Sequence, residues 1–284
     1  MKKATSILVI AFLLVISNVN AQPGVFTPGD YRDGIYDKEN ANYRRFIPYT
    51  HLREADVAWE KRVWREIDLR EKINHPLYYP ITYDASTNGR WSLIRVLSKY
   101  IQTGQILAFS DEDFLVPMEL SVVKNKLVVC DSVKESNFDE NGEEIFTSRW
   151  SCDSTSILKD LNVMRMKEDW FFDKQKSVLE VRILGIQVLK RDEEKGGLNA
   201  LFWVYFPACR PYFAKHEVFN TKTDSERRTF EDIFWKRQFS SYVFKETNVY
   251  DRQFNEYSAG IDLLLESDRV KNDIFKWEHD LWHF

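Results

Sequence analysis

His279 and His283 stand four residues apart in the closing stretch "FKWEHDLWHF", so on a helix both rings leave from one face. The pattern His279-Asp280-Leu281-Trp282-His283 is one carboxylate away from H-E-x-x-H, in which two imidazoles hold zinc and the glutamate acts as general base. Asp280 reaches less far toward a metal-bound water than glutamate does, and only Phe284 follows His283, so no downstream third ligand is expected. The two rings share their face with Asp268, Asn272 and Lys276, which predicts a solvated surface, whereas a catalytic metal needs a shaped, partly dry cavity. Two surface histidines are the expectation, with a metallohydrolase using His279 and His283 as the alternative.

The other reactive residues are sparse. Cys209 and His216 lie seven apart and form the one conceivable thiol–base pair, although a packed thiol and a packed or surface histidine explain them as well. Cys130 and Cys152 flank a predicted hairpin and are the pair expected to join if any disulfide forms. The acidic runs "SDEDF" and "NFDENGEE" lack the ligand spacing and closing glutamate of a calcium loop. No nucleophile elbow, P-loop or dinucleotide fingerprint occurs, so no catalytic residue, metal or cofactor is expected.

What positions these residues begins with the compartment. Lys2 and Lys3, a short apolar run from Ile7 to Ile16, and small residues before a cut after Ala21 predict a cleaved signal peptide over residues 1–21. Its removal takes the net charge from −4 to −6 by loss of Lys2 and Lys3, a poor balance for nucleic-acid binding. No later run is long and apolar enough to span a bilayer. Residues 22–50, rich in breakers yet dotted with tyrosine and phenylalanine, predict an extended arm that docks on a surface. Residues 51–284 then form a single domain.

In "READVAWEKRVWREIDLREKINHPLYYP", Val57, Trp59, Val63, Trp64 and Ile67 fall on one broad helical face, with Glu66 supporting Arg70 and Pro76 ending the helix. A second helix is expected over Trp91–Thr103. "LSVVKNKLVVCDSV" and "EEIFTSRWSCDS" read as paired strands, as do Val178–Leu189 and "LNALFWVYFPACR" after a glycine turn. A further helix is predicted from Asp224 or Ser225 through "SSYVF". The chain from Ile261 onward reads as a helix whose seam carries Leu263, Val270, Ile274, Trp277, Leu281 and Phe284, interrupted by Ser267. The fold class is α+β, a central antiparallel sheet with flanking helices, an N-terminal arm and a C-terminal amphipathic helix.

Aromatic residues mixed with charge supply docking surfaces. The candidate partner contacts are Trp59, Trp64, Trp277, Leu281, Trp282 and Phe284. A periplasmic protein using tryptophans to stack a small ligand is a third alternative. Five ordered blocks then carry a resemblance: "DVAWEKRVWREIDLREKINHPLYYP", "FFDKQKSVLEVRILGI", "WVYFPACRPYFAKHEVFN", "FEDIFWKRQFSSYVFKETNVYDR" and "LLLESDRVKNDIFKWEHDLWHF". Together they resemble the GldN/PorN family of Bacteroidetes, components of the type IX secretion and gliding machinery, over nearly the whole mature chain. The resemblance implies a periplasmic, non-catalytic subunit that self-assembles in a ring with the GldK/PorK outer-membrane lipoprotein. That ring would couple export to the GldL/GldM motor (PorM in the second naming).

Overall fold

The computed structural model describes residues 44–81, 90–127, 129–138, 144–153, 160–191, 197–223 and 225–281. Residues 1–43, with the predicted signal peptide and most of the arm, lie outside them. An antiparallel sheet of six strands runs in the order β10-β1-β5-β6-β7-β2. Its strands are β1 (Val57–Asp68), β2 (Ala108–Phe109), β5 (Val163–Asp173), β6 (Val178–Arg191), β7 (Leu198–Tyr205) and β10 (Tyr242–Glu246). Short β8 (Glu217–Val218) and β9 (Arg228–Thr229) pair with each other, as do β3 (Val129–Phe138) and β4 (Glu144–Asp153).

β1 corrects the first predicted helix. Val57, Trp59, Val63 and Ile67 lie within one helical arc, but they also share parity, so a strand places them on one face equally well. The ladder decides between the two periods, because β1 pairs with β5 along its length and with β10 on its other side. Glu66 therefore meets Arg165 Nε at 3.0 Å and the Tyr242 hydroxyl at 2.6 Å rather than Arg70, whose guanidinium turns to Asp68. Pro76 does not end a helix. It opens one, in the first turn of α1 (His75–Tyr78), where a missing N–H costs nothing.

Residues opposed across antiparallel strands share a face. Ile67, Met164, Val188 and Phe202 follow one another across the sheet in this way, as do Met166, Ile186 and Val204. They form the floor of the main core, covered by α2 (Leu93–Gln102), α3 (Leu120–Lys126), α4 (Phe206–Phe213) and α5 (Phe230–Trp235). α2 is the helix expected there, with Ser92 accepting the Arg95 N–H as its cap.

Three further boundaries move. Leu120–Lys126 is helix rather than the start of a strand: Val123 alone is buried, and Lys126 is pinned by donating to the Leu201 carbonyl at 2.7 Å. β7 stops at Tyr205, and "FPACRPYF" coils into α4 with Pro207 in its first turn. The long helix predicted from Asp224 or Ser225 shrinks to the six residues of α5. Asp224 itself lies outside the described residues, and Thr229 and Asp232 form the capping box. Arg237, at φ 52°, ends the coil, and the chain returns as edge strand β10. β5, which the sequence analysis left unassigned, is the strand between β1 and β6.

The terminal helix α6 (Ile261–Asp280) is where it was expected. Val270 and Ile274 pack on Val63, Val243 and Phe254, with Trp59, Trp170 and Leu263 at the margin. Ser267, the interruption in the seam, is buried and accepts the Val243 N–H at 2.9 Å.

In the β3–β4 hairpin the register sets Cys130 directly opposite Cys152. Oxidised protein is therefore expected to give a single linked peptide pair, Cys130 with Cys152, in a non-reducing digest. A digest with both residues alkylated would refute the pairing. Cys209 should resist alkylation in the folded chain, because it is fully buried and burial raises its thiol far above the usual pKa.

Candidate functional site

The residues singled out for chemistry are spent in other ways. Cys209 Sγ donates to the Tyr205 carbonyl at 3.3 Å, inside α4. His216 Nε2 meets the Tyr100 hydroxyl at 3.0 Å and its ring stacks on Trp91, so thiol and imidazole form no pair. Burial, then the charges of Lys99 and Lys215, lower His216 to about 4, so it is neutral at ordinary pH. His279 is exposed at the end of α6, with Nδ1 3.9 Å from Asp280 Oδ1 and its ring beside Phe275. His283 lies outside the described residues. Among the described residues no three His, Cys, Asp or Glu side chains are placed to hold a metal ion.

The candidate contact residues divide. Trp59 and Trp277 stack on each other, centroids 4.6 Å apart and planes 16° from parallel, with Phe172 edge-on. They join α6 to β1 and β5 within one subunit. Trp64 is 5% exposed, donates its indole N–H to Glu112 Oε2 at 2.8 Å and carries the Lys245 ammonium over its ring. Trp203, on the same sheet face, is equally covered. Leu281 is half-buried at the end of α6, and Trp282 and Phe284 lie outside the described residues.

The surface of α6 that faces away from the sheet is apolar as well. Ile261, Leu264, Leu265 and Phe275 are between 54 and 75% exposed. At helical spacing Ile261, Leu265 and Phe275 line up with Asp268, Asn272 and His279, opposite buried Val270. The face expected to be wet thus carries four large hydrocarbon side chains. A helix with apolar residues on opposite faces has one face to spend on its own core and one to spend elsewhere. Sequence reasoning missed this stripe, although its helical spacing was readable.

A second surface is built where the arm meets the body. Residues 44–50 run as a strap without regular structure. Arg210, 1% exposed on α4, donates to the Ile47 carbonyl at 2.6 Å and, from Nε and a terminal nitrogen, to Glu231 Oε1 at 2.8 and 2.6 Å. The rings of Tyr49, Phe46 and Trp235 lie 4.1, 5.3 and 5.3 Å from its guanidinium carbon. Further along, Arg182 donates to the Thr50 carbonyl, Lys176 Nζ to the Thr50 hydroxyl, and Arg44 pairs with Asp232. Burial raises the Glu231 carboxyl, and Arg210 offsets part of that rise. Nothing here arranges a nucleophile, base or metal. What the geometry does is hold this strap by its carbonyls.

A family model described as "Gliding motility associated protein GldN" matches residues 52–283. No curated protein matches the chain.

Proposed function

Because the chain belongs to the GldN family, a family of gliding-motility-associated proteins, we propose that it is a non-catalytic scaffold subunit of the type IX secretion and gliding machinery. It would lie in the periplasm and form a ring with the GldK/PorK outer-membrane lipoprotein, coupled to the GldL/GldM motor. Family membership carries the reading, and the outward apolar face of α6 supports it by offering a surface on which the next subunit could bury hydrocarbon. No helix among the described residues is long and apolar enough to cross a membrane.

The test is complementation of a clean deletion strain. The deletion should block export of type IX cargo, and normal export would refute the function outright. Leu265→Glu combined with Phe275→Glu should leave stability within about 0.5 kcal/mol, since both side chains are exposed. The same double variant should nevertheless fail to restore export or co-purify with the lipoprotein. Full complementation would remove α6 as the contact surface.

A further inference from the structure

The outward face of α6 carries a register as well as hydrocarbon. Ile261, Leu265, Asp268, Asn272, Phe275 and His279 are all exposed, at intervals of four, three, four, three and four. That alternation is the seven-residue repeat along which one helix packs on another. The seam is apolar at Leu265 and Phe275 and polar between them, at Asp268 and Asn272. Polar residues inside such a seam cost stability and fix register and orientation, because each needs a polar partner opposite.

The helix matches itself when reversed. Leu265 and Phe275 lie five residues either side of Val270, and Asp268 and Asn272 two either side. Two copies of α6 laid antiparallel and centred on Val270 therefore set Leu265 against Phe275 of the second copy and Asp268 against its Asn272, each contact made twice. Lys271 engages Asp268 Oδ1 at 3.1 Å, which leaves Oδ2 to accept from the Asn272 amide of the second copy. At the margin Asp262 comes beside Lys276 of the second copy. Arg269 and Lys271 come beside their own copies, but both already hold acids of their own subunit. The parallel arrangement is worse, since it stacks Asp268 on Asp268 and sets Lys271 beside Lys276.

We infer that the outward face of α6 binds α6 of a second copy of this chain, antiparallel about a two-fold axis, with two Leu265–Phe275 contacts flanking two Asp268–Asn272 hydrogen bonds. This rests on the assembly reading above and makes the next subunit an identical one. A two-fold contact is used up in forming a pair, so a ring would be built of pairs joined through another surface.

Two full-length copies with different tags, one carrying Leu265→Cys and the other Phe275→Cys, are co-expressed in the deletion strain. Native envelopes are treated with a short bis-maleimide, and the linked peptides are read by mass, which sets the native cysteines aside. A link from position 265 of one copy to position 275 of the other is expected. Position 265 should not link to itself, because the antiparallel pair holds its two copies about 15 Å apart along the axis. Placed in both copies, Asn272→Asp sets carboxylate against carboxylate and should reduce the link about tenfold for each hydrogen bond lost. Adding Asp268→Asn restores an amide opposite each carboxylate and should bring the link back. All four positions are exposed, so the fold should tolerate every variant. Links of position 265 to itself, links of either position to another protein or to the arm of the same chain, or no link at all overturn the inference. A double variant that links no better than Asn272→Asp alone does the same. An assembly of normal mass without the link between 265 and 275 sinks this inference only, whereas normal export in the deletion strain sinks the assembly reading itself.

Discussion

Arg210→Ala is expected to lower stability by about 3–5 kcal/mol, the cost of leaving one partner of a buried ion pair alone. For a chain of this size that is on the order of 10 °C in melting temperature. The reason is geometric. Arg210 is nearly inaccessible, and its removal leaves the Glu231 carboxylate in α5 without the two N–H donors it now accepts. The strap loses its central anchor in the same step, so residues 44–50 should become open to trypsin at Arg44 and Arg45. The deficit should also depend on pH. Burial already raises Glu231, and without Arg210 that rise is unopposed, so the folded variant binds a proton more tightly than the unfolded chain does. Stability is then lost as pH climbs through the raised value, and the gap from the native protein should be narrower at about pH 5 than at about pH 8. Calorimetry at both pH values checks the sign, and a gap that widens on acidification would falsify it.

A second large effect is expected at Glu168, which is fully buried between β1, β5 and the end of α5. Arg237 holds it through two bonds of 2.8 and 3.1 Å, Arg65 Nε stands 3.4 Å away, and the Trp170 indole donates at 3.2 Å. Glu168→Ala should cost about 3–5 kcal/mol, because the Arg65 and Arg237 guanidinium groups would face each other with no counter-charge. Burial already lowers the pKa of Arg65, and Glu168 is the largest influence opposing it. Arg269 supplies the control. It makes three ion pairs, at 2.7, 2.8 and 2.9 Å to Glu246, Glu266 and Asp273, but its side chain is 45% exposed. Arg269→Ala should cost no more than about 1 kcal/mol. Urea midpoints for the two variants decide whether burial or the number of partners sets the stability. Equal losses would mean that this ordering is wrong.

α2 and α6 were legible in the sequence because each buries a stripe at helical spacing. β6 was legible because its side chains alternate along much of its length. β1 was not, because four of its apolar positions satisfy both periods and the arbiter, a ladder with β5 and β10, is made by residues about 100 and 180 positions away. Nor could the strap seat be found. Glu231 lies 21 residues from Arg210 and the Ile47 carbonyl 163, and no local spacing announces such a convergence. The outer stripe of α6 is a different case. Ile261, Leu265 and Phe275 share a face with Asp268 and Asn272, and there the polar residues alone had predicted a wet surface.

The hydrogen bond from Val243 to Ser267 has a bearing on how copies of this protein can meet. β10 is an outer edge of the six-stranded sheet, and an open edge offers unpaired amides to any passing strand. Here α6 lies along that edge, and Ser267 occupies one amide that would otherwise point outward. The opposite edge, β2, is two residues long and is flanked by a bridge from Phe109 to Pro117, whose nitrogen has nothing to donate. Both outermost strands are thus blunted. Growth by adding strand to strand there, the route that leads to fibres, is discouraged, and any contact between copies is expected from side chains on helices and loops.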